Sequence, residues 1–327
     1  MSKKPFISVV LPCRNEEKYI GNCLNSLVNQ DYGSENYEIV MVDGLSEDKT
    51  IEIAKKTCEN FPNLRIFTNE KRVTPFAMTK GAQNAKGDII VLVIGHALYA
   101  SDFLSSGVRL FEKYPDASCV GGPVNSIGEN PFSKALAIAM SSYIGLGNVY
   151  HRMPGYEGEG EEALFPFFKR EVFDALGYYD ERFIRNQDDE FAFRVKLSGR
   201  KIYLSSTIKN TYIVRNSPKK LLKQYYSYGY YKWFGFLKHK KFISKRHFIP
   251  ALFVFSVIVL SALAITTSHT LLFLSPILFY LFVLISFALM HIKKGIKIAL
   301  YLVLAILVLH FSYGLGFLVS FLTVRKI

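Results

Sequence analysis

The sequence predicts an α/β domain with a mostly parallel sheet, followed by an interfacial segment and about three membrane helices. Two segments, Ile7–Glu17 and Tyr37–Thr50, each open with an Ile- and Val-rich apolar run that stops abruptly at polar residues. Buried parallel strands have this composition. After His247 the chain is dominated by long apolar stretches, and about 20 such residues suffice to cross a bilayer.

The front half alternates between strand and helix patterns. The first strand is followed by apolar residues at helical spacing, at Ile20, Leu24, Leu27 and Val28. Further on we expect a helix capped by Ser46 and Asp48 that runs to about Asn60, strands over Leu64–Phe67, Asp88–Ile94 and Ala117–Gly121, and helices over Thr74–Ala85 and Ser101–Tyr114. Strands separated by single helices imply right-handed crossovers and a mostly parallel sheet.

Three apolar stretches predict the membrane spans, at Phe248–Thr267, Leu271–Met290 and roughly Ile296–Leu322. Gly314 and Gly316 could end or break the third span. The predicted division of the chain is a catalytic domain over 1–216, a basic and aromatic amphipathic interfacial segment over 217–247, and a transmembrane region over 248–327.

The charge distribution favours a membrane partner over nucleic acid. All 27 acidic residues precede Phe191, whereas 20 of the 40 Lys and Arg follow Glu190, beside the apolar stretches. This placement indicates contact with anionic membrane lipids. The link after the second span contains Lys293, Lys294 and Lys297, and the link after the first contains no Lys or Arg. The positive-inside rule therefore predicts a multi-pass cell-membrane protein whose front domain faces the cytoplasm.

Several other classes of protein receive no support. The apolar run Ile7–Leu11 is too short for a secretory signal. The four cysteines, Cys13, Cys23, Cys58 and Cys119, show no CxxC spacing, so we interpret them as reduced cytoplasmic cysteines without a metal role. No GxGxxG follows a strand, which argues against a dinucleotide fold.

Polar side chains follow the first two strands. Arg14, Asn15 and Glu16 come after the first, and Asp43 ends the second. Because parallel strands bind ligands at their carboxyl edge, these residues could hold a nucleotide base and ribose. Two simpler interpretations stay open: Glu16 as an acid favoured at a helix N-terminus, and Asp43 as a residue that stabilises its own turn.

The order and spacing of several motifs resemble one known family. ISVVLPCRNEE, EIVMVDGLSEDKT, NAKGDIIVLVIGHA and RNQDDEFAFRVKLSGRKIYL are together similar to family 2 glycosyltransferases of the GT-A fold. Within that family the chain resembles the membrane-bound succinoglycan glucosyltransferase (ExoA-like) group, which shares the pattern QYYSYGYYKWFGFLKHKK before its membrane helices. The resemblance implies that Pro12, Arg14 and Glu16 contact the nucleotide. It also implies that Asp43 accepts a hydrogen bond from the base imide, favouring uracil.

The chain departs from the family at its metal motif. Members usually carry a DxD whose carboxylates hold Mn²⁺ or Mg²⁺ against the sugar diphosphate, but this chain has Ile94-Gly95-His96. Ile94 cannot bind a metal, so His96 is the candidate ligand of a divalent cation, with a purely structural histidine as the alternative. Lys71 and Arg72 could meet the diphosphate directly, with Arg72 as part of the nucleotide site, or form a solvated face.

The resemblance also implies a catalytic base and a gate. The family's acidic pair before a helix corresponds to Gln187-Asp188, so Asp188 would take the proton from the acceptor hydroxyl. The alternative is that Asp188 and Asp189 only cap a helix over Glu190–Leu197. The family's QxxRW gate for diphosphate and acceptor is absent as such, and its nearest counterparts are Gln224, Lys232 and Trp233.

These observations predict an inverting glycosyltransferase of envelope or exopolysaccharide biosynthesis. It would move one sugar from a nucleoside-diphosphate donor, favoured as a UDP-sugar, to a lipid-linked saccharide acceptor. Two alternatives stay open: a polyprenyl-monophosphate glycosyltransferase and a catalytically silent nucleotide-binding membrane scaffold. The absence of QxxRW argues against a processive polysaccharide synthase, as does the small number of predicted spans, which is three.

Overall fold

The computed structural model describes residues 4–147, 149–153, 155–241 and 245–326. These residues form two compact units. The first comprises the chain up to Asn125 together with 149–212, and the second comprises 126–147 together with the chain from Ile213 onward. A short segment from the middle of the chain therefore belongs with the C-terminal unit.

The helices and strands in chain order are β1 (Ile7–Cys13), α1 (Ile20–Val28), β2 (Tyr37–Asp43), α2 (Thr50–Thr57), β3 (Leu64–Thr68), α3 (Thr74–Asn84), β4 (Ile89–Leu92), β5 (Ala97–Tyr99), α4 (Phe103–Lys113), β6 (Ala117–Gly122), β7 (Asn125–Ile127), α5 (Pro131–Met140), α6 (Tyr143–Leu146), β8 (Gly158–Glu159), β9 (Leu164–Lys169), α7 (Arg170–Leu176), α8 (Gln187–Leu197), β10 (Lys201–Leu204), β11 (Asn210–Ile213), α9 (Pro218–His239), α10 (Ile249–Thr266), α11 (Thr270–Met290) and α12 (Ile296–Thr323).

The main sheet has the strand order β3-β2-β1-β4-β9-β6-β10-β8. Strands β3, β2, β1 and β4 run parallel to one another, and β6 runs parallel to β10. Strand β9 lies antiparallel between β4 and β6, and β8 pairs antiparallel with β10. The predicted mostly parallel sheet is confirmed, and the strands that make it mixed are ones the sequence pattern did not reveal.

Close packing of α3 on the sheet depends on a glycine. Helix α3 lies against β1 and β2. A Cβ added at Gly81 would lie 2.3 Å from Cγ1 of Val10 and 3.3 Å from Cγ2 of Val42. Both neighbours are stiff, β-branched and fully buried, so they cannot yield easily. The helix therefore reaches its distance from the sheet only with glycine at this position.

A cluster of aromatic rings holds α8 against β9 and α7. The ring centroid of Phe191 lies 5.1 Å from that of Phe168, 4.9 Å from Phe173 and 4.7 Å from Tyr179. Each such pair contributes about 0.5–1.5 kcal/mol beyond the area it buries. Helix α8 begins at Gln187, earlier than the predicted Glu190, and its N-cap residue is Asn186. The interpretation of Asp188 and Asp189 as N-cap residues is therefore wrong, because both lie inside the first turn.

The second unit contains three helices long and apolar enough to span a membrane, so the chain is a membrane protein. The third, α12, is continuous and packs against α9 and α10. A Cβ at Gly314 would lie 2.3 Å from the carbonyl oxygen of Pro250, and one at Gly316 would lie 2.0 Å from that of Tyr226. These glycines therefore permit close helix contact, and the expectation that they could break the span is wrong.

We predict that Gly81→Ala destabilises the protein by about 1–3 kcal/mol, because the added methyl group overpacks the contact with Val10. In an ordinary helix interior, the same substitution would instead raise the free energy of unfolding by about 1 kcal/mol. Thermal unfolding of the purified full chain in detergent measures the effect. Gln83→Ala, at an exposed position of α3, is the matched control. An unchanged or raised midpoint for Gly81→Ala would contradict this packing.

Candidate active site

The register of the parallel strands places their carboxyl ends side by side. Cys13 at the end of β1 pairs with Asp43 at the end of β2, and Asp43 pairs with Thr68 at the end of β3. The loops 14–17 and 44–50 therefore leave the sheet next to each other. This edge is where open α/β sheets bind ligands.

Reciprocal hydrogen bonds join these two loops. The amides of residues 15, 16 and 17 donate to the side chains of Ser46 (2.9 Å), Thr50 (2.8 Å) and Asp48 (3.1 Å). In return, the amides of Glu47 and Lys49 donate to the side chains of Asn15 (2.9 Å) and Glu17 (3.2 Å). Asn15 has a left-handed φ of 53°, which asparagine tolerates better than most residues. The two loops thus form one cross-linked unit.

Asp43 is buried and already has partners in its own turn. Ser46 donates its amide to Oδ2 at 2.9 Å and its hydroxyl to Oδ1 at 2.5 Å. The interpretation that Asp43 stabilises its own turn is therefore confirmed. A carboxylate offers about four lone-pair sites, so these contacts leave capacity for a further donor. Its contact with a nucleotide base stays a prediction.

The structure brings Arg14 and Arg72 together through a shared acid. Both guanidinium groups approach Oε1 of Glu47, at 3.4 Å from Arg14 and 3.9 Å from Arg72. Ion pairs this exposed contribute little, so an anionic ligand could replace Glu47 at small cost. Lys71 does not share this acid. Its ammonium group lies 2.5 Å from Oε2 of Glu181 and above the ring of Phe76.

His96 and Glu16 form a pair at the end of β4. Nδ1 of His96 lies 2.9 Å from Oε1 of Glu16, and the two side chains are only 18% and 20% exposed. Gly95 makes room for this contact, since a Cβ there would lie 3.2 Å from Cγ of Glu16. The sequence pattern did not indicate this pairing, because the two residues are far apart in the chain.

Strand β11 and the segment 150–152 add two residues, Tyr212 and Arg152, that no sequence motif indicated. It pairs with β5 so that Tyr212 lies opposite Ala97. The ring of Tyr212 is 5.7 Å from that of His96, and the guanidinium of Arg152 lies over the same ring at 5.6 Å. Arg152 and His96 thus both contact the ring of Tyr212. No local motif marks either residue, since the placement of Tyr212 depends on a non-local strand pairing and that of Arg152 on its contact with Tyr212.

The donor groups here fit a divalent cation only with help from a substrate. No group of three or more His, Cys, Asp or Glu side chains suited to a metal occurs within the described ranges. A cation bound by diphosphate oxygens and water needs few protein ligands. An imidazole whose second nitrogen is held by a carboxylate is a common arrangement for such a ligand. His96 with Glu16 fits that role.

Asp188 lies in the first turn of a well-anchored helix. It is half-buried, and its Oδ1 accepts from the amide of Asp189 at 3.0 Å. Two residues further along α8, the Glu190 carboxylate pairs with Arg194 at 3.0 Å. The guanidinium of Arg194 also donates to the carbonyls of Leu176 and Tyr178, at 2.6 Å each. The Glu190–Arg194 pair therefore braces the helix that presents Asp188.

The start of α8 and the loop before it contact α3. Nε2 of Gln187 lies 3.7 Å from the sulfur of Met78, and the hydroxyl of Thr79 donates to the carbonyl of Tyr179 at 3.3 Å. Burial, together with the negative charge of Asp188, raises the pKa of Tyr179 well above its usual value. Tyr179 therefore stays a neutral packing residue beside the carboxylate.

Two of the predicted gate residues have partners inside the second unit. Gln224 accepts from Nε of Arg215 at 3.2 Å and donates to the hydroxyl of Tyr228 at 2.7 Å. The indole N–H of Trp233 donates to the carbonyl of Val324 at 3.2 Å, just beyond the end of α12. A gate role for these residues and Lys232 stays a prediction.

Solved structures identify the fold class. The chain resembles a mannosyltransferase, PcManGT from Pyrobaculum calidifontis, solved with GDP-Man and Mn²⁺, with a TM-score of 0.60 at 17% identity over 94% of this chain and 87% of that one. It also resembles S. aureus TarS 1–349 in complex with UDP, with a TM-score of 0.53 at 17% identity over 92% and 90% of the two chains. The chain thus has the GT-A fold, as predicted.

Sequence comparison identifies the family. The family model described as Glycosyl transferase family 2 matches residues 8–177. A dolichyl N-acetyl-alpha-D-glucosaminyl phosphate 3-beta-D-2,3-diacetamido-2,3-dideoxy-beta-D-glucuronosyltransferase of Methanococcus voltae is 35% identical over 76% of this chain and 79% of its own length. The succinoglycan biosynthesis protein ExoA of Rhizobium meliloti is 29% identical over 74% and 73%. The chain belongs to glycosyl transferase family 2 and is an inverting glycosyltransferase, which confirms the predicted family.

The side chain of Asp48 takes part in the hydrogen bonds that join the two loops. Its carboxylate accepts from the amide and hydroxyl of Thr50 and from the amide of Glu17. Burial opposes ionisation, but these hydrogen bonds outweigh it and lower the pKa of the Asp48 carboxyl. The stabilisation is therefore fully present above the carboxyl's ordinary pKa and is lost as the pH falls through the lowered value.

We predict that Asp48→Ala lowers the free energy of opening of the segment 44–57 by about 1–2 kcal/mol, since the three hydrogen bonds that its carboxylate accepts are lost. Amide hydrogen exchange of peptides from this segment should be roughly 5–30-fold faster at neutral pH. The difference in exchange rate between Asp48→Ala and the wild type should become smaller in acid, because the stabilisation by the ionised carboxylate is lost there. Glu52→Ala, at an exposed position of α2, is the control. Equal exchange in the wild type and Asp48→Ala at neutral pH would show that these hydrogen bonds do not hold the loops.

Proposed function

We propose that this glycosyltransferase moves one sugar from a nucleoside-diphosphate donor, favoured as a UDP-sugar, to a lipid-linked saccharide. The observation that carries the proposal is the cross-linked edge where Asp43, Arg14 and Arg72 lie on adjoining loops. It offers a buried acceptor for a base and two cations for phosphates. The lipid-linked acceptor is supported by the printed name of the Methanococcus voltae relative and by the apolar helices of this chain.

The proposed donor contacts follow from charge and hydrogen-bonding capacity. Asp43 accepts from the imide N–H of the base, a donor that uracil has, and Pro12 lines the same strand end. Arg14 and Arg72 exchange Glu47 for the nucleotide phosphates, consistent with the exposure of that ion pair. The preference for UDP rests on Asp43, because the two solved relatives named above hold UDP in one case and GDP-Man in the other. A direct contact between Glu16 and the nucleotide stays part of this proposal.

For the chemical step we assign Asp188 as the general base. It takes the proton of the acceptor hydroxyl as that oxygen bonds to the anomeric carbon, and the bond to the nucleoside diphosphate breaks on the opposite face. Arg14 and Arg72 stabilise the negative charge that develops on the leaving diphosphate. A divalent cation, Mn²⁺ or Mg²⁺, would neutralise part of that charge when bound, with His96 as its protein ligand.

The remaining assignments concern the membrane. We propose that the catalytic domain over 1–216 faces the cytoplasm, and that the basic segment 217–247 contacts anionic lipids beside the spans over 248–327. Gln224, Lys232 and Trp233 would form the gate for acceptor and diphosphate. The alternative acceptor is a polyprenyl monophosphate, whose oxygen is already ionised and needs no general base.

We predict that Asp188→Asn lowers kcat by at least roughly 100-fold while donor affinity stays unchanged, because only the proton acceptor is lost. The assay is UDP release by the detergent-solubilised full chain across a panel of UDP-sugars, with a polyprenyl-linked N-acetylglucosamine acceptor. Asp189→Asn, the neighbouring carboxylate, is the matched control and should stay within a few-fold of wild type.

Two other results of this assay would contradict the proposal. Full turnover by Asp188→Asn with this saccharide acceptor would contradict the assignment of Asp188 as the general base, whereas turnover with a polyprenyl monophosphate in place of the saccharide would favour the monophosphate route. Absence of turnover by the wild type with every donor and with a membrane lipid extract would support the silent scaffold instead.

Membrane orientation gives a second prediction. The native cysteines are buried, so single introduced cysteines report cleanly on access. In intact cells, Ser268→Cys should react with a membrane-impermeant maleimide, and Lys294→Cys should react only after lysis, because the basic link faces the cytoplasm. The reverse labelling pattern would contradict the proposed orientation.

A further inference from the structure

The Glu16–His96 pair is unusual because it joins two of the predicted ligand-binding residues to each other. Glu16 follows β1 and His96 follows β4, so the contact joins the segments that follow two neighbouring parallel strands. The pair is largely sheltered from solvent, at 18% and 20% exposure, and the Glu16 amide is itself fixed by Thr50 at 2.8 Å. This geometry holds the carboxylate in place independently of any ligand.

The contact determines which ring nitrogen carries a proton. An ionised carboxylate can only accept hydrogen bonds, so Nδ1 of His96 is the donor across the 2.9 Å contact. In the neutral imidazole the other nitrogen, Nε2, then keeps its lone pair. Fixing the tautomer in this way is how carboxylates prepare histidines for metal binding.

The surroundings fix the ring orientation as well. Gly95 leaves space for the Glu16 side chain, and the ring of Tyr212 lies 5.7 Å from the imidazole. A larger residue at position 95 would meet the Glu16 side chain, so the local backbone is suited to this pair. The arrangement therefore fixes both the protonation and the placement of one imidazole nitrogen.

We propose that Glu16 is a positioning residue, which holds His96 so that Nε2 ligates a divalent cation carried by the donor diphosphate. The proposal rests on the proposed function, since the diphosphate supplies the remaining ligands. It gives Glu16 a role that acts through His96, alongside the direct nucleotide contact that the family resemblance implies. The two roles differ in one respect: only the positioning role depends on the cation.

Binding of UDP with and without Mn²⁺ separates the two roles. Calorimetric titration of the full chain in detergent with UDP, in EDTA or in MnCl₂, gives the gain in affinity due to the cation. We expect Glu16→Ala to reduce that gain by roughly 10–100-fold, whereas loss of a direct nucleotide contact would lower UDP affinity equally in EDTA and in MnCl₂ and leave the gain unchanged. In a His96→Ala background the same substitution should have no further effect. Glu52→Ala, at an exposed acidic position on α2, is the control.

Three results would overturn the proposal. Equal losses of UDP affinity for Glu16→Ala in EDTA and in MnCl₂ would show that Glu16 acts only through its direct nucleotide contact. Additive losses in the double variant would show that Glu16 does not act through His96. A wild type that binds UDP equally in both buffers would remove the cation role and leave the proposed function standing, whereas failure to bind UDP at all would contradict the proposed function itself.

A spectroscopic measurement checks the tautomer directly and does not depend on turnover. Nitrogen NMR of the full chain labelled at its histidines, with His96 assigned through His96→Ala, should show a protonated Nδ1 in the wild type. Glu16→Ala should yield a mixture of tautomers or the opposite one, with unchanged circular dichroism as the check on folding. The same tautomer in the wild type and Glu16→Ala would contradict positioning by Glu16.

Discussion

The parallel pairing of β1 with β2 is the constraint on which the site depends. Its register sets Cys13 beside Asp43, so the loops that follow must run side by side. Their amides then find acceptors across the gap, and reciprocal hydrogen bonds turn two exposed loops into one framework. A shift of one residue would place the Asp43 side chain on the other face of the sheet and separate these partners.

The turn after β1 contributes to both halves of the proposed site. Asn15 joins it to the loop after β2, and Glu16 joins it to His96 after β4. Arg14, from the same turn, reaches Glu47 next to Arg72. We therefore regard the proposed base-binding and diphosphate-binding residues as parts of a single network, in which the placement of His96 depends on the same residues that follow the nucleotide-binding strand.

The sequence predicted what local patterns encode. The first four parallel strands, the three apolar spans and the strand-end positions of Asp43 and His96 were all visible as runs and breaks in composition. It could not reveal β9 or the pairing of β5 with β11, because antiparallel insertions depend on contacts between distant segments. The Glu16–His96 pair and the Tyr212–Arg152 contact were missed for the same reason. Gly314 and Gly316 were misinterpreted because local propensity does not register the helices packed against them.

The central claim is that a nucleotide sugar binds at the carboxyl ends of β1, β2 and β4. Photolabelling tests it most directly: the full chain is irradiated with an azido-uracil derivative of UDP-glucose, digested, and the labelled peptides are sequenced by mass spectrometry. We predict that the label falls within residues 12–16, 43–47 or 69–72, and that excess UDP suppresses it. Labelling confined to other segments, with competition by UDP intact, would contradict this account of the site.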